Sequence, residues 1–119
     1  MLGNTLVLPY GAGGYTLVKI NQDGYSSEYL FRDATRQITA RIRHTKTKAS
    51  SNRPQYDRHN VEVVEIVFAT AEVAQFERKF YWVLEQLPSD LSDDVAVGLC
   101  TLTTAESAAF LASVLGWES

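Results

Sequence analysis

The residues best suited to binding chemistry are basic side chains gathered in one part of an acidic chain. From Arg32 to Arg58 the sequence holds eight lysines and arginines against two acidic residues, whereas the 119-residue chain has a formal net charge of −3. A partner meets the local potential of a surface rather than the net charge of the chain. A pI near 5.3 therefore does not exclude a polyanion, and the segregated charge is typical of a surface that follows phosphate groups.

Nucleophiles, general bases and soft metal ligands are few in this sequence. The two histidines and the single cysteine, His44, His59 and Cys100, show no motif spacing, and the histidines fall on predicted core-facing strand positions. A structural zinc ion takes four such ligands. We therefore predict no enzyme, no catalytic residue and no metal site. Cys100 cannot form an intrachain disulfide, and its apolar neighbours favour packing over reactivity.

Hard oxygen donors leave one alternative open, which is a calcium ion shared at a contact between subunits. The donors are Glu85, Asp90, Asp93 and Asp94, and calcium prefers carboxylate ligands. Their spacing is not that of a dedicated calcium loop, so solvated carboxylates near the start of a helix are the simpler interpretation. We predict no cofactor, with calcium as the one candidate.

Within the basic stretch, residues 37–47 alternate with the period of a β-strand. Ile38, Ala40 and Ile42 point to one side, which can pack on a core, because successive side chains of a strand lie on opposite faces. The other side presents Gln37, Thr39, Arg41, Arg43 and Thr45. One face of a sheet would therefore carry arginines and hydroxyl groups.

The next strand is predicted over residues 56–69, and its side chains extend both the apolar and the polar side of the sheet. Its first half places Arg58, Asn60 and Glu62 opposite His59, Val61 and Val63. Its second half is apolar on both sides except at Glu65. That pattern predicts either burial on both faces or a bulge near Val63 and Val64.

Shorter β-prone runs and turn residues surround these two strands. We predict strands at residues 4–10, 15–20, 26–31 and 75–87, with turns at the glycines of 11–14 and at 21–24. In the last strand one face carries Phe76, Phe80, Trp82 and Leu84, with Arg78 as an exception, and the other carries Glu77, Lys79, Tyr81, Val83 and Glu85. Aromatic and β-branched residues favour a strand over a helix there.

After Pro88 the apolar residues recur every three or four positions, which is the period of a helix. The polar residues 92–94 favour a helix start through capping and negative charge. Thr103 or Thr104 can cap a second helix, which ends near Gly116. The C-terminal part is therefore predicted to be a pair of helices.

Together these elements predict one α+β domain over residues 1–119, with a β-hairpin and antiparallel sheet over 1–87 and a helical hairpin over 88–119. Two short helices cannot cover so wide a sheet, so we expect a partner subunit. No apolar run approaches the about 20 residues of a membrane span. The first residues also lack the pattern of a secretion signal, and we expect no membrane partner.

This order of elements resembles the coat proteins of single-stranded RNA bacteriophages. The segments that carry the resemblance are KINQDGY at 19–25, ARIRHTK at 40–46, RHNVE at 58–62 and LGWES at 115–119. They are most similar to the coat proteins of Caulobacter-infecting RNA phages. The resemblance covers essentially the whole chain and is weaker between residues 70 and 114.

The resemblance implies an intertwined homodimer in which the helices of one subunit pack across the partner's sheet. Such dimers form an icosahedral shell, T=3 in this family, that packages single-stranded genomic RNA and assembles in the bacterial cytoplasm before release as the virion. The helices face outward and the sheet faces the genome. In several members of the family the same inner face binds an RNA hairpin and acts as a translational repressor.

By position, the resemblance assigns side chains of the polar sheet face to RNA. They are Thr39, Arg41, Arg43, Thr45, Arg58, Asn60, Lys79 and Tyr81. Arginine suits phosphate through its fork of donors, whereas Tyr81 could stack on an unpaired base or pack at a dimer seam. Glu62 would repel phosphate and could pair with Arg41 or Arg43 instead. The helix residues expected at the dimer interface are Leu99, Phe110, Leu111 and Val114.

Two other functions fit the same elements. One is a dimeric α+β barrel that binds a small ligand, and the other is an RNA-binding repressor that never assembles into a shell. Particle mass separates both from a capsid protein. The loop at residues 70–74 has two interpretations. The resemblance places it at the five-fold and quasi-six-fold axes of a shell, and the alternative is an ordinary hairpin connection with no role in assembly.

Overall fold

A computed structural model describes residues 2–9 and 13–118, and its contacts divide the chain into two compact units, Met1–Pro88 and Ser89–Ser119. The first unit is built from strands and the second contains a helix. Residues 10–12, which belong to the first predicted strand and the glycine turn, lie outside the described residues.

Six antiparallel strands form one sheet in the described part of the first unit, in the order of the sequence. They are β1 (Thr5–Leu8), β2 (Tyr15–Gln22), β3 (Ser26–Arg32), β4 (Arg36–Lys46), β5 (Asp57–Val67) and β6 (Phe76–Gln86). Each strand follows its neighbour through a short connection, as an antiparallel meander allows. Every predicted strand is present, and the strand ends differ from the predicted ones by at most two residues.

The bulge proposed for the apolar half of β5 is absent. The strand pairs with β4 and with β6 without a shift in register, and residues 61–68 are half-buried. The irregularity lies instead in β2, between Lys19 and Asn21. β2 therefore runs two residues further than predicted, and the turn begins at Asp23, whose carboxylate accepts the backbone N–H groups of Tyr25 and Ser26 at 2.7 Å each.

The core lies on one face of the sheet, which we call the apolar face and define by Ile38, Ala40 and Ile42 of β4 and their register partners. These three side chains are buried together with Leu17 and Tyr29. The hydroxyl of Tyr29 donates a hydrogen bond to the carbonyl oxygen of Gly3 at 2.9 Å, which satisfies its one buried polar group. The alternation of β4 thus positions the core as predicted.

The apolar face continues onto β6, where its side chains stay accessible. Phe76, Phe80 and Trp82 are 41%, 59% and 44% exposed. β6 pairs with β5 on one side only among the described strands, so it is also an edge. Aromatic surface beside an unpaired strand edge is a feature that stable monomers avoid.

The second unit contains one helical element among its described residues, α1 (Asp94–Leu115), in which a non-helical break separates two segments, where the sequence predicts two separate helices. The backbone is not helical from Ala105 to Ala108, and the three residues 106–108 have φ values of 52°, 56° and 62°. Thr103 and Thr104 are not the caps of a second helix. Their hydroxyls donate to the carbonyl oxygens of Leu99 and Cys100, at 2.8 and 3.1 Å, so they close the turn behind them instead.

By length and composition alone, α1 is apolar enough to cross a membrane, with a mean hydropathy of 1.5, contrary to the expectation from the lengths of the apolar runs. The break at 105–108 leaves helical pieces of about 11 and 7 residues, or roughly 16 and 10 Å at 1.5 Å per residue. Both are shorter than the about 30 Å of a hydrocarbon core. Lipid would also leave the non-helical peptide groups of the break unsatisfied, so α1 does not suit a membrane span.

Candidate nucleic-acid interface

The opposite side of the sheet, which we call the polar face, brings the predicted RNA-binding residues together. Register partners lie on the same face of a sheet. Between β4 and β5 the register pairs are Arg41 with Glu62, Arg43 with Asn60, Thr45 with Arg58 and Thr39 with Val64. Between β5 and β6, Glu62 pairs with Tyr81 and Val64 pairs with Lys79. All eight predicted residues therefore share one surface.

The eight residues occupy three neighbouring strands. At about 3.4 Å per residue and about 4.8 Å between strands, the segment from Thr39 to Thr45 and its neighbours spans roughly 20 Å by 10 Å. A surface of that size can hold several nucleotides, since single-strand sites in other folds take about 4–16. The chemistry of the site therefore depends on which charges are available across this area.

The arginines of the polar face are paired with carboxylates. Arg43 donates to Glu62 at 3.2 Å and to the side-chain oxygen of Asn60 at 3.3 Å. Arg41 donates to Glu28 at 3.3 Å. The prediction that Glu62 pairs with one of the two arginines is confirmed for Arg43, which is its diagonal neighbour rather than its direct register partner.

A third ion pair lies at the end of the polar face. The carboxylate of Glu85 accepts hydrogen bonds from Arg58 at 3.4 Å and from Arg53 at 2.7 Å. The paired arginine side chains are about half exposed. Exposed ion pairs contribute only about 0–1 kcal/mol each, so a phosphate group can replace the carboxylate at small cost.

Two cations of the polar face have no carboxylate partner among the described residues. Lys79 lies on β6 opposite Val64, and Arg32 lies at the end of β3 opposite Gln37, with its guanidinium 5.2 Å from the ring centre of Phe68. Arg32 and Glu28 also belong to this surface, although they were not among the predicted residues. The parity of β3, in which residues 28, 30 and 32 share a face, could have identified both.

A charged cluster of three residues on the apolar face explains the exception at Arg78. Glu65 of β5 accepts hydrogen bonds from Arg36 at 2.8 Å and from Arg78 at 2.7 Å, which joins β4, β5 and β6. Burial raises the pKa of Glu65, but the hydrogen bonds from Arg78 and Arg36 outweigh it and hold the pKa below its ordinary value. The cluster has two cations for one carboxylate.

Comparison with known proteins decides the family. The sequence model of the family described as the coat protein of phage phiCb5 matches residues 3–87, which is more than half of the chain and nearly all of the sheet unit. The chain belongs to this family of phage coat proteins. The resemblance to Caulobacter-infecting RNA phages is thereby confirmed.

Solved structures show the same fold at low sequence identity. The coat protein of bacteriophage EMS014 aligns with a TM-score of 0.64 and 20% identity over 87% of this chain and 72% of that chain. A structure described as an unassembled virus coat protein dimer and bacteriophage RNA-binding dimer aligns with a TM-score of 0.58 and 11% identity, over 98% of this chain and 95% of that chain. A search of curated proteins finds no significant match. Membership of the phage coat protein family gives this chain a structural role in the virion capsid and not a catalytic one.

The four residues predicted for the dimer interface lie on α1 of this coat protein. Leu99, Phe110 and Val114 are 58%, 41% and 50% exposed, and Leu111 is half-buried. None of the described residues of α1 is fully buried. Their apolar surface is thus available to a second subunit.

The carboxylates, histidines and cysteine considered as metal ligands lie in different parts of the chain. Glu85 is engaged by two arginines, whereas Asp90, Asp93 and Asp94 belong to the second unit. Among the described residues no three His, Cys, Asp or Glu side chains converge as a metal site. His44 and His59 do come together, on the apolar face, with 2.8 Å between their Nδ1 atoms, and Cys100 is exposed.

Proposed function

We propose that this coat protein forms an intertwined homodimer that assembles into an icosahedral shell, with the polar face of its sheet bound to single-stranded RNA. The observation that carries the proposal is the two-sided sheet. One face gathers eight residues suited to RNA, and the other is apolar and remains partly uncovered at β6. Assembly takes place in the bacterial cytoplasm, where the genomic RNA is available.

Three features support the dimer. β6 is an exposed edge of 11 residues that a second copy can extend. The aromatic side chains of β6 and the apolar residues of α1 are exposed in one chain and would be buried by a second copy. Residues 89–119 contain five acidic and no basic residues, whereas the cluster of Arg36, Glu65 and Arg78 has an excess of positive charge. The helical unit of one copy therefore complements the apolar face of another in both polarity and charge.

The RNA side of the proposal rests on exchangeable ion pairs. The carboxylates of Glu28, Glu62 and Glu85 hold the arginines in place without RNA, and phosphates compete for the same donors. Lys79 and Arg32 supply charge that no such pair offsets among the described residues. Tyr81, 59% exposed, supplies a ring on which a base can stack. A hairpin that presents unpaired bases fits this surface, and its binding would permit translational repression.

The test is expression of the chain alone in bacteria, followed by electron microscopy and nuclease treatment. We expect nuclease-resistant shells that carry host RNA. A dimer of about 27 kDa, twice the 13.3 kDa chain, that binds RNA without forming shells would support the unassembled repressor instead. A monomer at micromolar concentration without bound nucleic acid would contradict the proposal.

We propose no cofactor for this function. The alternative is calcium bound by Glu85 and the carboxylates near α1, and it can be tested separately. If calcium bridges subunits, chelation with EDTA at neutral pH should dissociate the shells and added calcium should restore them. If it does not, shells keep their sedimentation rate in EDTA.

A further inference from the structure

The two histidines of this chain form a cross-strand pair. His44 of β4 is the register partner of His59 of β5. Their Nδ1 atoms are 2.8 Å apart, and the rings meet edge to face with centroids 5.0 Å apart. The ring of His44 belongs to an exposed residue and that of His59 to a half-buried one. Within a single chain the pair is therefore accessible from one side and held by the sheet on the other.

A contact between two Nδ1 atoms requires one N–H donor and one lone pair. One neutral tautomer of each ring meets this requirement, whereas two imidazolium rings would point two protons at each other. A metal ion meets it differently, because it accepts the lone pair of both rings. A cation bonded to both nitrogens would lie beside the line that joins them rather than on it, so the rings would turn from their hydrogen-bonded arrangement, with 2.8 Å between the Nδ1 atoms, to direct both lone pairs at the metal.

The spacing of the two nitrogens can be compared with the ligand spacings of common metal geometries. With metal–imidazole bonds of about 2.0 Å, two cis ligands at a right angle lie about 2.8 Å apart, and two ligands of a tetrahedron about 3.3 Å apart. The observed Nδ1–Nδ1 distance is 2.8 Å. Right-angled nitrogen ligands are typical of square-planar or tetragonal copper(II) and nickel(II) sites.

The neighbours of the pair add no further ligand. Leu84 lies opposite His59, and the adjacent pair on one side is Val61 with Ile42. On the other side Asp57 is held by Lys46 at 2.5 Å. The described residues provide no convergent third His, Cys, Asp or Glu, so the remaining coordination positions would be filled by water.

We propose that His44 and His59 form a two-histidine site for a divalent copper or nickel ion. Copper(II) binds more strongly than nickel(II) by the usual order of affinities. On binding, the donor ring moves its proton from Nδ1 to Nε2, and both Nδ1 lone pairs bond to the metal.

The test uses copper(II) titrated into the purified protein in a Cys100→Ser background, which removes the one thiol. We expect electron paramagnetic resonance to show hyperfine coupling from two equivalent nitrogens. His44→Gln and His59→Gln should each reduce this to one nitrogen and weaken binding roughly tenfold or more, because the second bond no longer benefits from proximity. Asp57→Asn, which keeps both rings, should retain the two-nitrogen spectrum.

Coupling to a single nitrogen in the parent protein, or equal affinity in the parent and in His59→Gln, would overturn the site. The parent spectrum decides the matter even if a variant fails to fold, since the chain contains no other histidine. Shell formation is scored separately by microscopy on the same samples. Failure of the metal site therefore leaves the proposed capsid function unaffected, and the reverse is also true.

Discussion

At the scale of single residues, the polar face is an array of exchangeable ion pairs rather than a uniformly basic surface. Arg41, Arg43 and Arg58 each have a carboxylate partner within 3.4 Å. The pairs orient the guanidinium groups and lower the potential that RNA meets from a distance. In the function proposed above, phosphates and carboxylates compete for the same donors, and both sides of that competition can be altered by mutation.

Removal of the two central arginines of the polar face tests whether they bind RNA phosphates. We expect Arg41→Ala with Arg43→Ala to leave the dimer folded, because the apolar side of β4 is unchanged. RNA affinity should fall, and the slope of log affinity against log salt should flatten by roughly 0.7–0.9 for each phosphate that the protein no longer binds. Filter binding across a salt series measures both. Tyr81→Ala serves as the contrast, since the absence of stacking lowers affinity with little change in slope. Parent-like affinity and slope in the double variant would mean that these arginines serve only their ion pairs with Glu28 and Glu62.

Removal of a carboxylate tests whether carboxylates compete with RNA phosphates for the arginines. Glu62→Gln frees Arg43 from its 3.2 Å ion pair, so RNA affinity should rise several-fold and the salt slope should steepen. Glu77→Gln is the matched control, because it makes the same charge change on β6, and the described residues include no ion-pair partner for Glu77. If both variants raise affinity equally, the effect reflects overall charge rather than release of Arg43.

At the scale of elements, the strands were predictable because their side-chain alternation is local. All six occur where the alternation and turn residues place them, and the exception at Arg78 is explained by its pair with Glu65. The helical unit was less predictable. Thr103 and Thr104 have the residue type of a cap, but their hydroxyls bond to carbonyls one turn back, which a one-dimensional pattern cannot distinguish.

The cluster on the apolar face should make stability depend on pH in a defined direction. The folded pKa of Glu65 is lowered from 4.5, so its stabilisation is fully present above pH 4.5 and is lost as pH falls through the lower folded pKa. Glu65→Gln should therefore cost about 1 kcal/mol at neutral pH, allowing for solvent exposure. Chemical denaturation of parent and variant across a pH series measures it. A cost that stays constant into strong acid would show that the ion pairs are not its cause.

At the scale of the whole molecule, the uncovered apolar surfaces of α1 and β6 are the features that point beyond one chain. A single subunit leaves Phe80 and Phe110 at 59% and 41% exposure. Such surface is unfavourable in water and becomes favourable when a second subunit buries it. Shell formation would then depend on the dimer as the unit of assembly.

The helix side of the interface can be tested with a buried charge. We expect Phe110→Asp to abolish the soluble dimer, because an unpaired charge in a desolvated seam costs several kcal/mol. Phe110→Leu, which stays apolar, should still dimerise. Analytical ultracentrifugation distinguishes the two. Normal dimers and shells from Phe110→Asp would place the helix outside the interface.

The connection between β5 and β6 tests the step from dimer to shell. It is a tight turn in which Thr70 donates its backbone N–H to the carbonyl oxygen of Val73 at 2.9 Å and accepts the N–H of Val73 through its hydroxyl at 3.1 Å. Deletion of Ala71 and Glu72 should spare the dimer, since neither residue belongs to a strand, and should alter or prevent shell closure. Unchanged shells of unchanged size in the microscope would make the segment an ordinary connection.

The sequence by itself determined the strands, their two faces, the membership of all eight predicted residues in the polar face and the resemblance to RNA phage coat proteins. These properties follow from local periodicity and residue type, because the backbone of a strand directs successive side chains to opposite sides. Only the tertiary structure decided which arginine binds which carboxylate, that β2 rather than β5 is irregular, and that His44 meets His59. Those facts depend on how strands distant in sequence align, and register is set by the packing of a whole face rather than by any one segment.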